Sequence, residues 1–143
     1  MTLSILENEL LENETKRVRK MIKITLHYVL ITIFCVVFGW IYEQFSHDVF
    51  SAWMSYFFLI PLVGGVLPFI LLLRSRKLLE PDGWSLMFYH SGIATLAVGS
   101  CFKGVLEIYG TDSSYSSWYL CIGSLLVVIG VVKYIWLSRE ASV

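Results

Sequence analysis

The sequence predicts an all-α fold, a four-helix transmembrane bundle with both termini cytoplasmic, and three observations carry that expectation. Hydrophobic residues make up 57% of the 143 residues, charged residues 15%, and mean hydropathy is +0.70. A soluble domain this short needs far more polar surface to cover its core. Second, the stretches 24–42, 49–73, 83–102 and 113–132 contain no Asp, Glu, Lys or Arg. Each is close to the roughly 20 residues with which a helix crosses the hydrocarbon layer. Third, the charges sum to zero but are sorted along the chain. Lys16, Arg17, Arg19, Lys20 and Lys23 precede the first stretch, Arg74, Arg76 and Lys77 follow the second, and Lys133 and Arg139 lie at and beyond the end of the fourth. The other two connections carry Asp48 and Asp112. The positive-inside rule then puts both termini and the 74–83 loop on the cytoplasmic side.

Taken in order, residues 1–23 form an amphipathic and basic cytoplasmic tail. Glu7, Glu9, Glu12 and Glu14 precede the basic cluster and no small-residue cleavage site follows, so the segment does not read as a signal peptide. Ser4-x-x-Glu7 suits a helix cap, with Leu3, Leu6 and Leu10 on one face. A frayed tail ending in headgroup anchors and an interfacial or partner-docking helix both fit.

The bundle itself occupies residues 24–137, with spans at about 24–45, 52–73, 84–108 and 117–137, before a short tail at 138–143. In the first span Thr25, Tyr28, Thr32, Cys35, Gly39, Tyr42 and Ser46 recur in steps of three and four. Such a seam should face other helices, because lipid offers no hydrogen bonds. The second span contains Pro61, Gly64, Gly65 and Pro68, which should kink or break its helix near mid-membrane. Transporters expose backbone to substrate in this way, and ordinary packing kinks use the same residues. Pro81-Asp82-Gly83 is a turn that opens the third span. That span carries Ser91, Thr95, Gly99, Lys103 and Glu107 at steps of four, a second expected seam. The fourth has Trp118 and Tyr119 at one end, Tyr134 and Trp136 at the other, with Gly123, Ser124 and Gly130 for close packing.

Intramembrane ionisable groups are functional candidates by default. Glu43 and His47 stand one helical turn apart at the end of the first span. At 1.5 Å per residue from the level of Tyr28 and Ser91, Glu43 lies about 22 Å, Lys103 about 18 Å and Glu107 about 24 Å outward. The four residues therefore define a candidate ion or ligand site in the outer leaflet. A Glu43–Lys103 or Lys103–Glu107 pair that merely locks two helices fits the same pattern. Two carboxylates and an imidazole around one ammonium leave ligands to spare for a proton, a divalent cation or a cationic substrate.

His27 and His90 lie at similar depth near the cytoplasmic boundary, where they suit either axial ligation of a b-type haem or interfacial hydrogen bonding. No other cofactor is suggested. Cys35, Cys101 and Cys121 fall within spans and have no metal-finger spacing. No phosphate loop, dinucleotide fingerprint or protease motif occurs, and the basic residues hug the membrane rather than forming a nucleic-acid face. No catalytic residue is indicated, and an enzyme is not the expected class.

The run Tyr42-Glu43-Gln44-Phe45-Ser46-His47-x-Val49-x-Ser51 with Met54, Tyr56, Pro61 and Leu62 resembles small four-span membrane proteins of Gram-positive bacteria. So do His90-Ser91-Gly92-Ile93-Ala94-Thr95 and Gly104-Val105-Leu106-Glu107-Ile108-Tyr109-Gly110. The resemblance spans most of 24–137 and implies a bacterial plasma membrane and no particular activity. The leading expectation is a transport or sensing protein whose outer polar site binds a proton or cation. Against it stand a structural or regulatory subunit that docks a membrane-protein partner or a second copy, and a haem-bearing anchor.

Overall fold

The computed structural model describes residues 2–45, 50–75 and 81–140; His47 and Ser46 lie outside them. Four helical rods in it are long and apolar enough to cross a membrane. The first is a single helix, α1 (Thr2–Gln44), of 43 residues, about 65 Å at 1.5 Å per residue. Tail and first span are thus continuous. No glycine or proline occurs between Thr2 and Gly39 to end the helix.

The second rod is assembled from pieces: α2 (Ala52–Tyr56), α3 (Leu59–Pro61), a π-helical turn at Leu62–Val66, and α4 (Leu67–Arg74). Its prolines explain the interruptions. Pro61 has no N–H to give the Phe57 carbonyl, which accepts from Ile60 at 3.1 Å instead. Pro68 likewise cannot serve the Gly64 carbonyl, and the Tyr89 hydroxyl donates to it at 2.5 Å. Between them the Leu67 N–H reaches back five residues to the Leu62 carbonyl. The expected break is therefore a local rewinding, with its displaced carbonyl satisfied by a neighbouring helix. The remaining rods are α5 (Gly83–Ile108), capped by the Asp82 carboxylate on the Trp84 N–H, and α6 (Tyr115–Glu140).

The rods pack as a row: α1 against the second rod, the second rod against α5, and α5 against α6. On α1 Tyr28, Thr32, Cys35 and Gly39 of the expected seam are buried, Thr25 and Tyr42 are half-buried, and Met21 extends the buried line one turn before Thr25. Met21 and Tyr28 join Val66, Phe69, Leu86 and Ile93 in the core. Leu30, Ile33, Phe34, Val37 and Trp40 point outward and exposed, as a bilayer solvent allows.

Glycines bring α5 and α6 together. A Cβ on Gly92 would meet the Val127 nitrogen at 2.7 Å and the Gly123 oxygen at 2.9 Å, and one on Gly130 would meet the Tyr89 nitrogen at 2.9 Å. Gly99 abuts Tyr119, and Gly123 abuts Leu96. Each helix thus presents a pair of glycines seven residues apart, Gly92 with Gly99 and Gly123 with Gly130, to an antiparallel neighbour. Ser85 strengthens the contact by donating to the Gly130 carbonyl at 2.7 Å.

The π-helical turn gives a graded test. A methyl on Gly64 would approach only the Ile93 Cδ1 end at 2.5 Å, whereas one on Gly65 would enter the Tyr28 ring. Gly64→Ala should therefore cost less than about 1 kcal/mol, and Gly65→Ala about 1–3 kcal/mol. Melting in detergent would separate the two. Equal losses would show that the turn does not seat Tyr28 as described.

Candidate functional site

Three of the four expected outer-site residues converge on one short helix. Gly39 of α1 and Gly104 of α5 face each other across Met54: a Cβ on Gly39 would meet the Met54 oxygen at 3.1 Å, and one on Gly104 the Met54 nitrogen at 2.8 Å. Met54 is fully buried between them. Glu43 lies four residues beyond Gly39, and Glu107 three beyond Gly104, each on the face that its glycine presents. The glycines admit α2, and the carboxylates meet its flanks.

Each carboxylate receives a serine hydroxyl from that helix. Ser51 Oγ donates to Glu107 Oε2 at 2.7 Å and accepts from the Met54 N–H at 3.4 Å, so one hydroxyl both caps α2 and holds a carboxylate from α5. Ser55, one turn on, donates to Glu43 Oε1 and also lies 2.9 Å from the Ser51 carbonyl oxygen. A hydroxyl has a single proton, and it cannot serve two acceptors at full strength. Glu43 is half-buried and Glu107 exposed, so the pair reaches from the protein interior to its surface.

Lys103 joins the same layer by a different contact. Its ammonium sits 4.2 Å from the centre of the Trp53 ring, a cation–π distance. Ser100 fixes that residue's backbone, donating to the Trp53 carbonyl at 3.1 Å. The ion pairs Lys16–Glu12 and Lys133–Asp82 lie toward the opposite end of the rods. The ammonium is thus held on an aromatic face beside the carboxylates rather than in a salt bridge with either.

The remaining candidates fall elsewhere. His90 forms a 2.6 Å hydrogen bond through Nδ1 with the Tyr28 hydroxyl, linking α5 to α1, and its ring stacks on Phe69 at 5.6 Å. His27 is exposed and bonds through Nδ1 to the Lys23 carbonyl at 2.7 Å. Both histidines line one groove between α1 and α5. Pro61, Gly64, Gly65 and Pro68 surround this deeper aromatic cluster and not the carboxylate layer. The three cysteines are free thiols, with Cys35 buried, Cys101 half-buried and Cys121 exposed. Among the described residues, no group of three His, Cys, Asp or Glu side chains is disposed to hold a metal ion.

No family model matches this chain. No curated protein and no solved structure matches it either.

The residues that sequence reasoning passed over are Ser51, Ser55 and Trp53. Their signal was positional: two serines one turn apart, opening a span, opposite two carboxylates. Ser51→Ala removes both the helix cap and the Glu107 hydrogen bond, at an expected cost of about 1–2 kcal/mol. Ser55→Ala leaves the cap intact and should cost less. Detergent melting of both variants checks the order, and a larger loss for Ser55→Ala would reverse the assignment of Ser51 as the cap.

Proposed function

We propose that this multi-pass membrane protein binds a proton or a small cation at the carboxylate layer formed by Glu43, Glu107, Ser51 and Ser55, with Lys103 beside it. The observation that carries the reading is that one short helix offers two hydroxyls, a turn apart, to carboxylates from two different spans. Such a set presents hard oxygen ligands to a cation. Lys103, anchored on Trp53, supplies a resident positive charge that bound cation or proton would have to accommodate, which favours single charges over double ones. Transport and sensing are the two uses that fit. The sorting of Lys and Arg supports a topology with both termini in the cytoplasm and this layer on the opposite side of the membrane, and the resemblance to small four-span proteins of Gram-positive bacteria supports a bacterial plasma membrane.

The test is the melting temperature of the purified protein across pH and across a panel of chloride salts at fixed ionic strength. Binding to the folded state raises it by mass action. A rise that is specific for protons or one cation, and that disappears in Glu43→Gln with Glu107→Gln, is the expected result. Identical responses from wild type and the double variant would refute the reading.

A second reading has its own support. The N-terminal half of α1 exposes Ile5, Leu6, Leu10 and Leu11, a surface on which a partner protein could dock. Co-purification in mild detergent with and without residues 1–15 addresses it.

A further inference from the structure

The groove between α1 and α5 is lined by Ile24, Tyr28, Ile31, Pro61, Ile93 and Ala97, with His27 and His90 on its walls, and has a volume of about 380 Å³. Ile24 and His27 also line a second hollow of about 430 Å³, whose other walls are Lys16, Arg19, Lys20 and Lys23. Lys16, Lys20, Lys23 and His27 follow one another on α1 in steps of four, three and four, so they form one stripe that runs into the groove. One face of α1 is therefore apolar along the span and basic just beyond it. Lys16 is engaged by Glu12 at 2.7 Å, whose carboxyl it holds below the ordinary carboxylate range. Lys23 stands one turn before His27 at the mouth of the groove, and Arg19, one turn before Lys23, lines the same basic hollow.

We infer that this composite groove binds an anionic phospholipid, with one acyl chain lying between α1 and α5, the phosphate on the shelf of Arg19 and Lys23, and a glycerol hydroxyl of the headgroup against His27. The charge complementarity selects the occupant. An apolar slot bounded by hydrocarbon-depth side chains is filled by an acyl chain at no cost in polar desolvation. A basic shelf at its mouth attracts the headgroup that such a chain carries. The His27 ring fits a headgroup that carries hydroxyls: Nδ1–H donates to the Lys23 carbonyl at 2.7 Å, which leaves Nε2 as an acceptor for a glycerol hydroxyl. Pro61 forms part of the slot, so the lipid would fill the space between α1 and α5, two helices that each pack chiefly on the second rod or on α6 rather than on one another. This inference is independent of the carboxylate layer at the other end of the rods.

Native mass spectrometry of the full chain, released from neutral detergent containing equal amounts of phosphatidylglycerol and phosphatidylcholine, is the test. Phosphatidylglycerol should be retained preferentially. Arg19→Gln and Lys23→Gln, both surface changes that leave the helix intact, should each weaken its retention roughly fivefold. Ala97→Phe, which fills the slot, should abolish retention, while glycerophosphate without chains should not compete. Equal retention of the two lipids, retention unchanged in the doubly neutralised variant, or competition by glycerophosphate would overturn the inference. So would a stoichiometric Soret band on haem addition that phosphatidylglycerol fails to displace, which would assign the groove to its two histidines.

Discussion

Gly104→Val is expected to expel α2 from its place between α1 and α5. The new side chain would meet the Met54 nitrogen at 2.8 Å and the Met54 Cα at 3.0 Å. Both belong to the backbone, which cannot swing aside as a side-chain tip can. The cost should reach or exceed about 3 kcal/mol, the upper end for overpacking. Because Ser51, Trp53 and Ser55 travel with Met54, the variant should also lose the three contacts that hold Glu107, Lys103 and Glu43 together. Its melting temperature should fall steeply and become insensitive to the ion that stabilises the wild type. Gly83→Ala serves as the control, since a Cβ there meets nothing within 4 Å. A Gly104→Val protein with wild-type melting and ion response would mean that α2 is not clamped.

Gly92→Leu should act as strongly on a different interface. Its side chain would be driven into the backbone of α6 at Val127 and Gly123, and α6 has its principal packing contacts with α5 alone. We expect a loss of about 3 kcal/mol or more, with α6 released and more open to protease at the 110–115 loop. The carboxylate layer draws on α1, α2 and α5, so any folded Gly92→Leu protein should keep its ion response. Measuring melting and ion response on one preparation separates the two glycine contacts. A Gly92→Leu protein that melts normally would show that the helices do not approach through their glycines.

The first helix was legible because its pattern alternates three and four, the spacing that stays on one side of a helix. Tyr28, Thr32, Cys35 and Gly39 are accordingly buried. The stripe read on α5 fared differently. A step of four overshoots a turn by about 40°, so five residues at that spacing wind about 160° around the helix. Ser91 is exposed, Gly99 meets Tyr119 of α6, and Lys103 meets Trp53 of α2. The true contact line toward α6 was visible as Gly92 with Gly99 and Gly123 with Gly130, whose seven-residue spacing does stay on one face. The depths of Glu43, Lys103 and Glu107 followed from arithmetic along two parallel helices. Their partners did not, because Ser51 and Ser55 open the second span as ordinary polar residues, and only the fold shows which neighbouring spans they face. Pro61 and Pro68 identified the Phe57 and Gly64 carbonyls as those that lose an N–H, but the donor that replaces it at Gly64 is Tyr89, 21 residues beyond Pro68. A proline identifies the missing donor; only the fold supplies the replacement.

The most direct measurement is infrared difference spectroscopy of the reconstituted protein during a step in pH or in the stabilising cation. The account predicts a change in carboxyl and carboxylate bands that is reduced in Glu43→Gln, reduced in Glu107→Gln, and absent when both are replaced. Ser55→Ala should shift the band belonging to Glu43 and leave that of Glu107 in place. A difference spectrum that persists unchanged in the double variant would contradict the central claim and move the ion-responsive group away from these two carboxylates.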